Sequence, residues 1–208
     1  MAKPVLYGAD YSVYVRIARM ALEEKGVDYE LVPVDVFAAE GIPGWYFEHH
    51  PFGRIPAFEH DGFRLFEASA IARYVDEAFD GPPLQPKDPR GRARMNQIIG
   101  MLDAYGYRAM VWDVAVERLE KASPDEALIF SGLRQAETVL QALSSLGPAG
   151  PWLLGNQLTL ADLHAAPIIG YFVKVAEGRE LLAEFPDGDA WWTRVSGRSS
   201  FANTEKAG

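Results

Sequence analysis

His50-Pro51-Phe52-Gly53-Arg54-Ile55-Pro56-Ala57-Phe58-Glu59-His60-Asp61-Gly62-Phe63-Arg64-Leu65-Phe66-Glu67-Ala68-Ser69-Ala70-Ile71-Ala72-Arg73-Tyr74 is the stretch whose reading decides the fold. Pro51 and Gly53 break any helix that precedes them. Ile55-Pro56 opens an apolar run that ends at Phe58. Asp61-Gly62 is a hairpin signal, because glycine tolerates the positive φ that a two-residue turn needs. Phe63, Leu65 and, out of strict alternation, Phe66 make the returning strand. After Glu67 the apolar residues Ala70, Ile71, Tyr74, Val75 and Ala78 fall at helical spacing. A strand that runs straight into a helix aims the helix's free N–H groups beyond the sheet edge, and such an end attracts an anion.

Working outward, Val5 to Gly8 reads as a short strand and Ser12 to Lys25 as a helix. Val15, Ala18, Ala21 and Leu22 give that helix an apolar side, and Gly26 sits at its C-cap. Residues 27–36 read mostly as strand, and 37–49 as irregular to helical, broken by Gly41, Pro43 and Gly44. The order β-α-β then β-β-α is the thioredoxin-like layout. Gly81-Pro82-Pro83-Leu84-Gln85-Pro86 is a linker, and beyond it the pattern turns all-helical. One helix runs from Asp88-Pro89 to about Leu119 and a second from Asp125 to near Leu146. Thr159-Leu160-Ala161-Asp162 reads as a capping box with Asp in place of Glu, with Leu158 and Leu163 spaced as a staple. Phe185-Pro186 through Ser200 forms the closing helices. The expected organisation is a thioredoxin-like domain over 1–80, a linker over 81–88 and an all-helical domain over 89–208.

Two motifs carry a resemblance to a known family. His-Pro-Phe-Gly-x-Ile-Pro-Ala at 50–57, followed by Asp-Gly and Leu-Phe-Glu-x-x-Ala-Ile at 65–71, resembles the glutathione-binding core of cytosolic glutathione transferases. Gly155-Asn156-Gln157-Leu158-Thr159-Leu160-Ala161-Asp162 is similar to the capped core helix of the family's second domain. The resemblance implies a thioredoxin-like domain followed by a helical one, glutathione as co-substrate, and a homodimer. It implies a cis bond at Pro56, with Ile55 offering its backbone to the cysteinyl part of glutathione. It also implies that Glu67, with the backbone of the next residue, grips the γ-glutamyl end. The family's serine after that glutamate is Ala68 here, with Ser69 one place on. The family's second-helix histidine has no counterpart, its slot falling near Gly41. Arg54 is placed to reach the cysteinyl-glycine carboxylate, or is simply solvated, and Trp45 is the large side chain nearest the glycyl end. Phe52 sits where several classes insert an aromatic into the neighbouring subunit, with packing inside the chain as the other reading.

Composition bounds the alternatives. The chain has 208 residues, 49% of them hydrophobic and 12% aromatic, which reads as an ordinary globular protein. A net charge of −9 argues against a nucleic-acid or anionic-membrane partner, each of which wants a basic face. The N-terminus lacks the apolar core of a signal peptide, and the longest apolar run, 165–173, is too short to span a bilayer. The cytoplasm is therefore the expected compartment. With no cysteine there is no thiol nucleophile, disulfide or thiolate metal ligand. The four histidines, His49, His50, His60 and His164, make no metal spacing, and His164 reads as a core residue.

The chemistry such a site needs is a thiolate. A free thiol titrates near about 8.5, and each unit of depression corresponds to about 1.4 kcal/mol of thiolate stabilisation. A hydroxyl donor beside the positive end of a helix supplies it. Tyr7, Tyr11, Ser12 and Tyr14 are the hydroxyls in place. By spacing from Gly8 to Gly26, Ser12 falls on the catalytic serine of plant-type (phi-like) and bacterial transferases, while its other reading is a helix cap. Tyr7 is the alternative catalyst. Tyr11 and Tyr14, with Tyr105, Arg108 and Trp112 of the long helix, are the expected walls of the electrophile pocket. The enzyme reading is conjugation of glutathione to an apolar electrophile. The competing one is a catalytically silent transferase-like protein that binds apolar ligands or a protein partner.

Overall fold

A computed structural model describes residues 3–147 and 150–205. Their contacts sort them into two units, one running to Pro83 and taking in the residues from Ser199 on, the other Leu84–Arg198.

The first unit is built on β1 (Val5–Gly8), α1 (Val13–Lys25), β2 (Glu30–Pro33), a 3-10 turn (Gly44–Glu48), β3 (Ala57–His60), β4 (Phe63–Phe66) and α2 (Ala68–Ala78). The sheet order is β2-β1-β3-β4, with β1 and β2 parallel and the β1-β3 and β3-β4 pairs antiparallel. The hairpin turns where the sequence placed it, Asp61 and Gly62 both taking positive φ (49° and 79°). Strand β2 is shorter than the stretch 27–36; as the edge strand it tolerates Pro33, and its pairing with β1 closes with the Val34 N–H donating to Gly8 O at 3.1 Å. Leu6, Val15, Ala18, Leu22, Phe58, Ile71 and Val75 are closed to solvent and form the core beneath α1 and α2. Helix α1 lies so close to β1 that a Cβ on Gly8 would come within 2.4 Å of a Val15 methyl carbon. It ends in a Schellman turn at Gly26 (φ 67°), with the Val27 N–H donating to Leu22 O at 2.9 Å.

The second unit is helical throughout. Asp88 caps the long helix by accepting from Gly91 N at 2.9 Å, and Pro89 fills its first turn. That helix begins as α3 (Pro89–Met101), widens into π-type turns over Leu102–Gly106 and Arg108–Val116, and closes as α4 (Glu117–Glu120). Then follow α5 (Glu126–Leu146), α6 (Leu160–Phe172), α7 (Ala176–Ala183) and α8 (Pro186–Ser196). Helix α6 is buried on almost every side, which is why it is apolar all round rather than amphipathic. His164 on α6 is 1% exposed and pairs with Asp103 at 2.8 Å, a core histidine with its partner.

The last helix, α9 (Ser199–Thr204), packs on α1 of the first unit, whereas the sequence reading kept it with the helical domain. Arg16, 6% exposed, donates to Phe201 O at 2.8 Å and to Thr204 Oγ1 at 3.4 Å, and lies 3.8 Å over the Phe201 ring. Arg19 donates to the carbonyls of Thr204 and Asn203, and Ser200 Oγ to Glu24 at 2.5 Å. Arg16→Met keeps the stem but leaves the Phe201 carbonyl without its charged donor. We expect a loss of about 2 kcal/mol, read as a fall in Tm of about 4–8 °C. An unchanged Tm would mean that α9 contributes nothing to the unit.

Candidate active site

Helix α1 starts at Ser12, which has extended backbone (φ −77°, ψ 125°) and accepts from Val15 N at 3.4 Å. The cap uses a lone pair of the hydroxyl oxygen and leaves its proton free to donate. The oxygen also stands at the N-terminal end of a 13-residue helix, where the dipole favours negative charge.

The Ile55-Pro56 bond is cis, as the resemblance implies. Sheet pairing begins only at Ala57, so the peptide groups of Ile55 are left over from the ladder. The segment is pinned from one side by Tyr46, a fully buried residue whose hydroxyl donates to Arg54 O at 2.7 Å. Burial pushes the Tyr46 phenol up, which keeps it a donor. A tyrosine within a Gly/Pro-broken stretch carries no sequence signal of a bond eight residues on.

At the other end of the hairpin, Glu67 takes φ 73° and ψ 112°, a conformation few non-glycine residues adopt and one that costs about 1–3 kcal/mol. The kink turns β4 directly into α2. Its carbonyl accepts from Ala70 N and Ile71 N at 2.9 Å each, while its carboxylate makes no cap and stays exposed. The N–H groups of Ala68 and Ser69 belong to the helix's first turn and have no intrahelical acceptor. Ala68 is buried, Ser69 half-buried and Arg54 exposed. Burial holds the ring of His50 below the usual histidine range, with Glu67 acting to raise it and Arg54 to lower it. That ring packs on Phe66 at 4.8 Å and on Phe52 at 6.2 Å.

Tyr7 is placed otherwise. Its ring packs among His49 (4.3 Å), Trp45 (6.0 Å) and Tyr46 (6.4 Å), and burial raises its phenol. Trp45 thus serves the packing of Tyr7. Tyr11 donates to Asp35 Oδ1 at 2.7 Å, so its hydroxyl proton is taken, and Tyr14 is half-buried on α1. In the second unit, Tyr105, Arg108 and Trp112 lie along the π-wound stretch. Tyr105 is 58% exposed, and Arg108 Nε donates to Asp113 at 2.5 Å. Among the described residues no group of three or more His, Asp or Glu side chains is set to hold a metal ion, and no helix is long and apolar enough to cross a membrane.

The geometry agrees with what known proteins show. Residues 6–83 match the family model for the glutathione S-transferase N-terminal domain, and residues 107–199 that for the C-terminal domain. Glutathione S-transferase F13 of Arabidopsis thaliana is 29% identical over 94% of this chain and 92% of its own length. The crystal structure of glutathione transferase F7 from Populus trichocarpa is 31% identical and covers 97% of both chains, with a TM-score of 0.83. Glutathione S-transferase-I bound with lactoylglutathione aligns at a TM-score of 0.85 with 25% identity over 98% of both chains. The thioredoxin-like sheet, the helical unit and the relatives' sequences converge, and the chain belongs to the glutathione S-transferase family.

Proposed function

We propose that this transferase activates glutathione through Ser12, in the manner of the serine-type members, and passes the thiolate to an apolar electrophile. The observation that carries the reading is the Ser12 hydroxyl: its oxygen accepts from Val15 N, so its proton is free for sulfur, at the positive end of α1. Ile55 would pair through its free peptide groups with the cysteinyl backbone beside Pro56. Glu67 would take the γ-glutamyl ammonium, and the Ala68 and Ser69 N–H groups its carboxylate. Arg54, exposed, would meet the glycyl end. In the reaction the thiol proton leaves to solvent and the thiolate forms a bond to the electrophilic carbon. The leaving group departs with its electron pair, and the Ser12 proton stays on its oxygen throughout. Tyr11 and Tyr14, flanking Ser12 in the chain, would face the second substrate.

A homodimer fits an aromatic as exposed as Phe52 (71%), standing beside Phe66, and a cytoplasmic place fits the acidic, cysteine-free chain. The silent-binder reading draws on Ala68, which has no hydroxyl to offer the γ-glutamyl carboxylate. Retention on immobilised glutathione, followed by turnover of 1-chloro-2,4-dinitrobenzene, is the expected result for the enzyme. No retention, together with no turnover at millimolar glutathione, would leave the binding protein.

A further inference from the structure

Arg54 and Ile55 share one peptide group. Its carbonyl accepts the Tyr46 hydroxyl at 2.7 Å, and its N–H is the Ile55 donor left over from the sheet ladder. The bond is trans, since the one cis bond among the described residues is Ile55-Pro56. In a planar trans peptide the C=O and N–H point opposite ways, so a group that fixes the carbonyl also aims the N–H. A hydrogen bond to the carbonyl also polarises the amide, and its N–H becomes a better donor.

Tyr46 is itself held on every side. Its side chain is closed to solvent and packs with Val34 and Ala57, with Tyr7, Ile42 and Ile55 against them. Its N–H donates to Pro43 O at 2.9 Å, and its carbonyl accepts from His49 N at 2.9 Å and His50 N at 3.0 Å. Burial pushes the phenol up against the opposing pull of the Ala57 N–H, so the proton stays on oxygen at neutral pH. The hydroxyl is therefore a fixed, permanent donor to the Arg54 carbonyl.

We propose that Tyr46 is a positioning residue for glutathione: through the Arg54–Ile55 peptide its hydroxyl aims and strengthens the N–H that holds the cysteinyl carbonyl. The inference rests on the reading above that Ile55 pairs with the cysteinyl backbone. Tyr46 acts only through that peptide, on contacts that ground state and transition state share. Its removal belongs in the KM for glutathione and not in kcat.

The test titrates S-methylglutathione and its thioamide analogue by calorimetry, sulfur replacing the cysteinyl carbonyl oxygen and accepting more weakly. Wild type should bind the amide about tenfold more tightly than the thioamide. Tyr46→Phe, which removes one oxygen from a fixed ring, should weaken the amide about tenfold and narrow the preference to about threefold. In turnover the KM for glutathione should rise by about the same factor, with kcat at saturation held within about twofold. Unchanged affinity in Tyr46→Phe overturns the relay while the glutathione reading stands. Equal weakening toward both ligands overturns it too, since a packing defect does not tell oxygen from sulfur. The wild-type preference needs no variant to fold, and its absence removes the Ile55 N–H bond and the proposal with it. Failure of wild type to bind either ligand overturns the reading beneath.

Discussion

Ser12→Ala should lower kcat/KM about 100-fold at pH 7, the effect of letting the bound thiol rise by about two pKa units. The fold should survive. The cap contact it removes is long, 3.4 Å, so its loss costs at most about 1 kcal/mol. The pH profile separates chemistry from structure. With the donor present, the thiolate forms below the free-thiol range, and activity reaches its plateau near neutrality. Without it, the rising limb moves to higher pH, and the gap between variant and wild type narrows as pH climbs past about 9. A merely structural role for Ser12 would depress activity at every pH alike. Ser12→Thr keeps the hydroxyl and should retain most of the activity. If Ser12→Ala stayed within threefold of wild type across the range, another group would be holding sulfur, and Tyr7→Phe would be the next variant to make.

How much of this was legible beforehand follows from sequence distance. The Asp61-Gly62 turn, the Gly26 stop and the caps at Ser12, Asp88 and Asp125 are settled within four residues, so the chain spells them out. The cis bond at Pro56 followed from the family resemblance rather than from a local signal, and the positive φ of Glu67 leaves no mark in the sequence beyond the strand-to-helix junction at that place. The other features that escaped are long-range. Tyr46 reaches Arg54 O, Tyr11 reaches Asp35 across 24 positions, and Arg16 reaches Phe201 O across 185. None of these leaves a period or a dipeptide signal. The return of α9 to the first unit is the largest case, since a short helix after another helix reads as more of the same domain until its partner is known. The π-type widening of the long helix is equally silent, because apolar spacing alone does not separate a wide winding from an ordinary one over two or three turns.

Asp162→Ala should be the most destabilising single change in the helical unit. The carboxylate is fully buried and accepts four hydrogen bonds. Oδ1 takes Leu153 N at 2.8 Å and Trp191 Nε1 at 2.9 Å, while Oδ2 takes Thr159 N at 2.8 Å and Thr159 Oγ1 at 2.9 Å. It thus ties the connector at 153 and helix α8 to the start of α6, far beyond the role of a local capping box. Burial raises its carboxyl above the usual carboxylate range, and the four donors offset only part of that rise. Three of the donors are N–H groups that have no alternative role, so alanine orphans all three in a dry site. At about 1–3 kcal/mol for each unsatisfied buried group, partly relieved by relaxation, the loss should reach about 4–5 kcal/mol. Asp162→Asn is the sharper probe. Its amide oxygen can keep the Leu153 and Trp191 pair if its NH2 faces Thr159, whose hydroxyl can turn round to accept. Only the Thr159 N–H then goes without a partner, and the cost should fall to about half that of alanine. Denaturant midpoints of the two variants read the difference directly. Equal losses for alanine and asparagine would show that negative charge, rather than the count of satisfied donors, is what the site requires, and losses below about 1 kcal/mol for both would show that the four bonds hold nothing together.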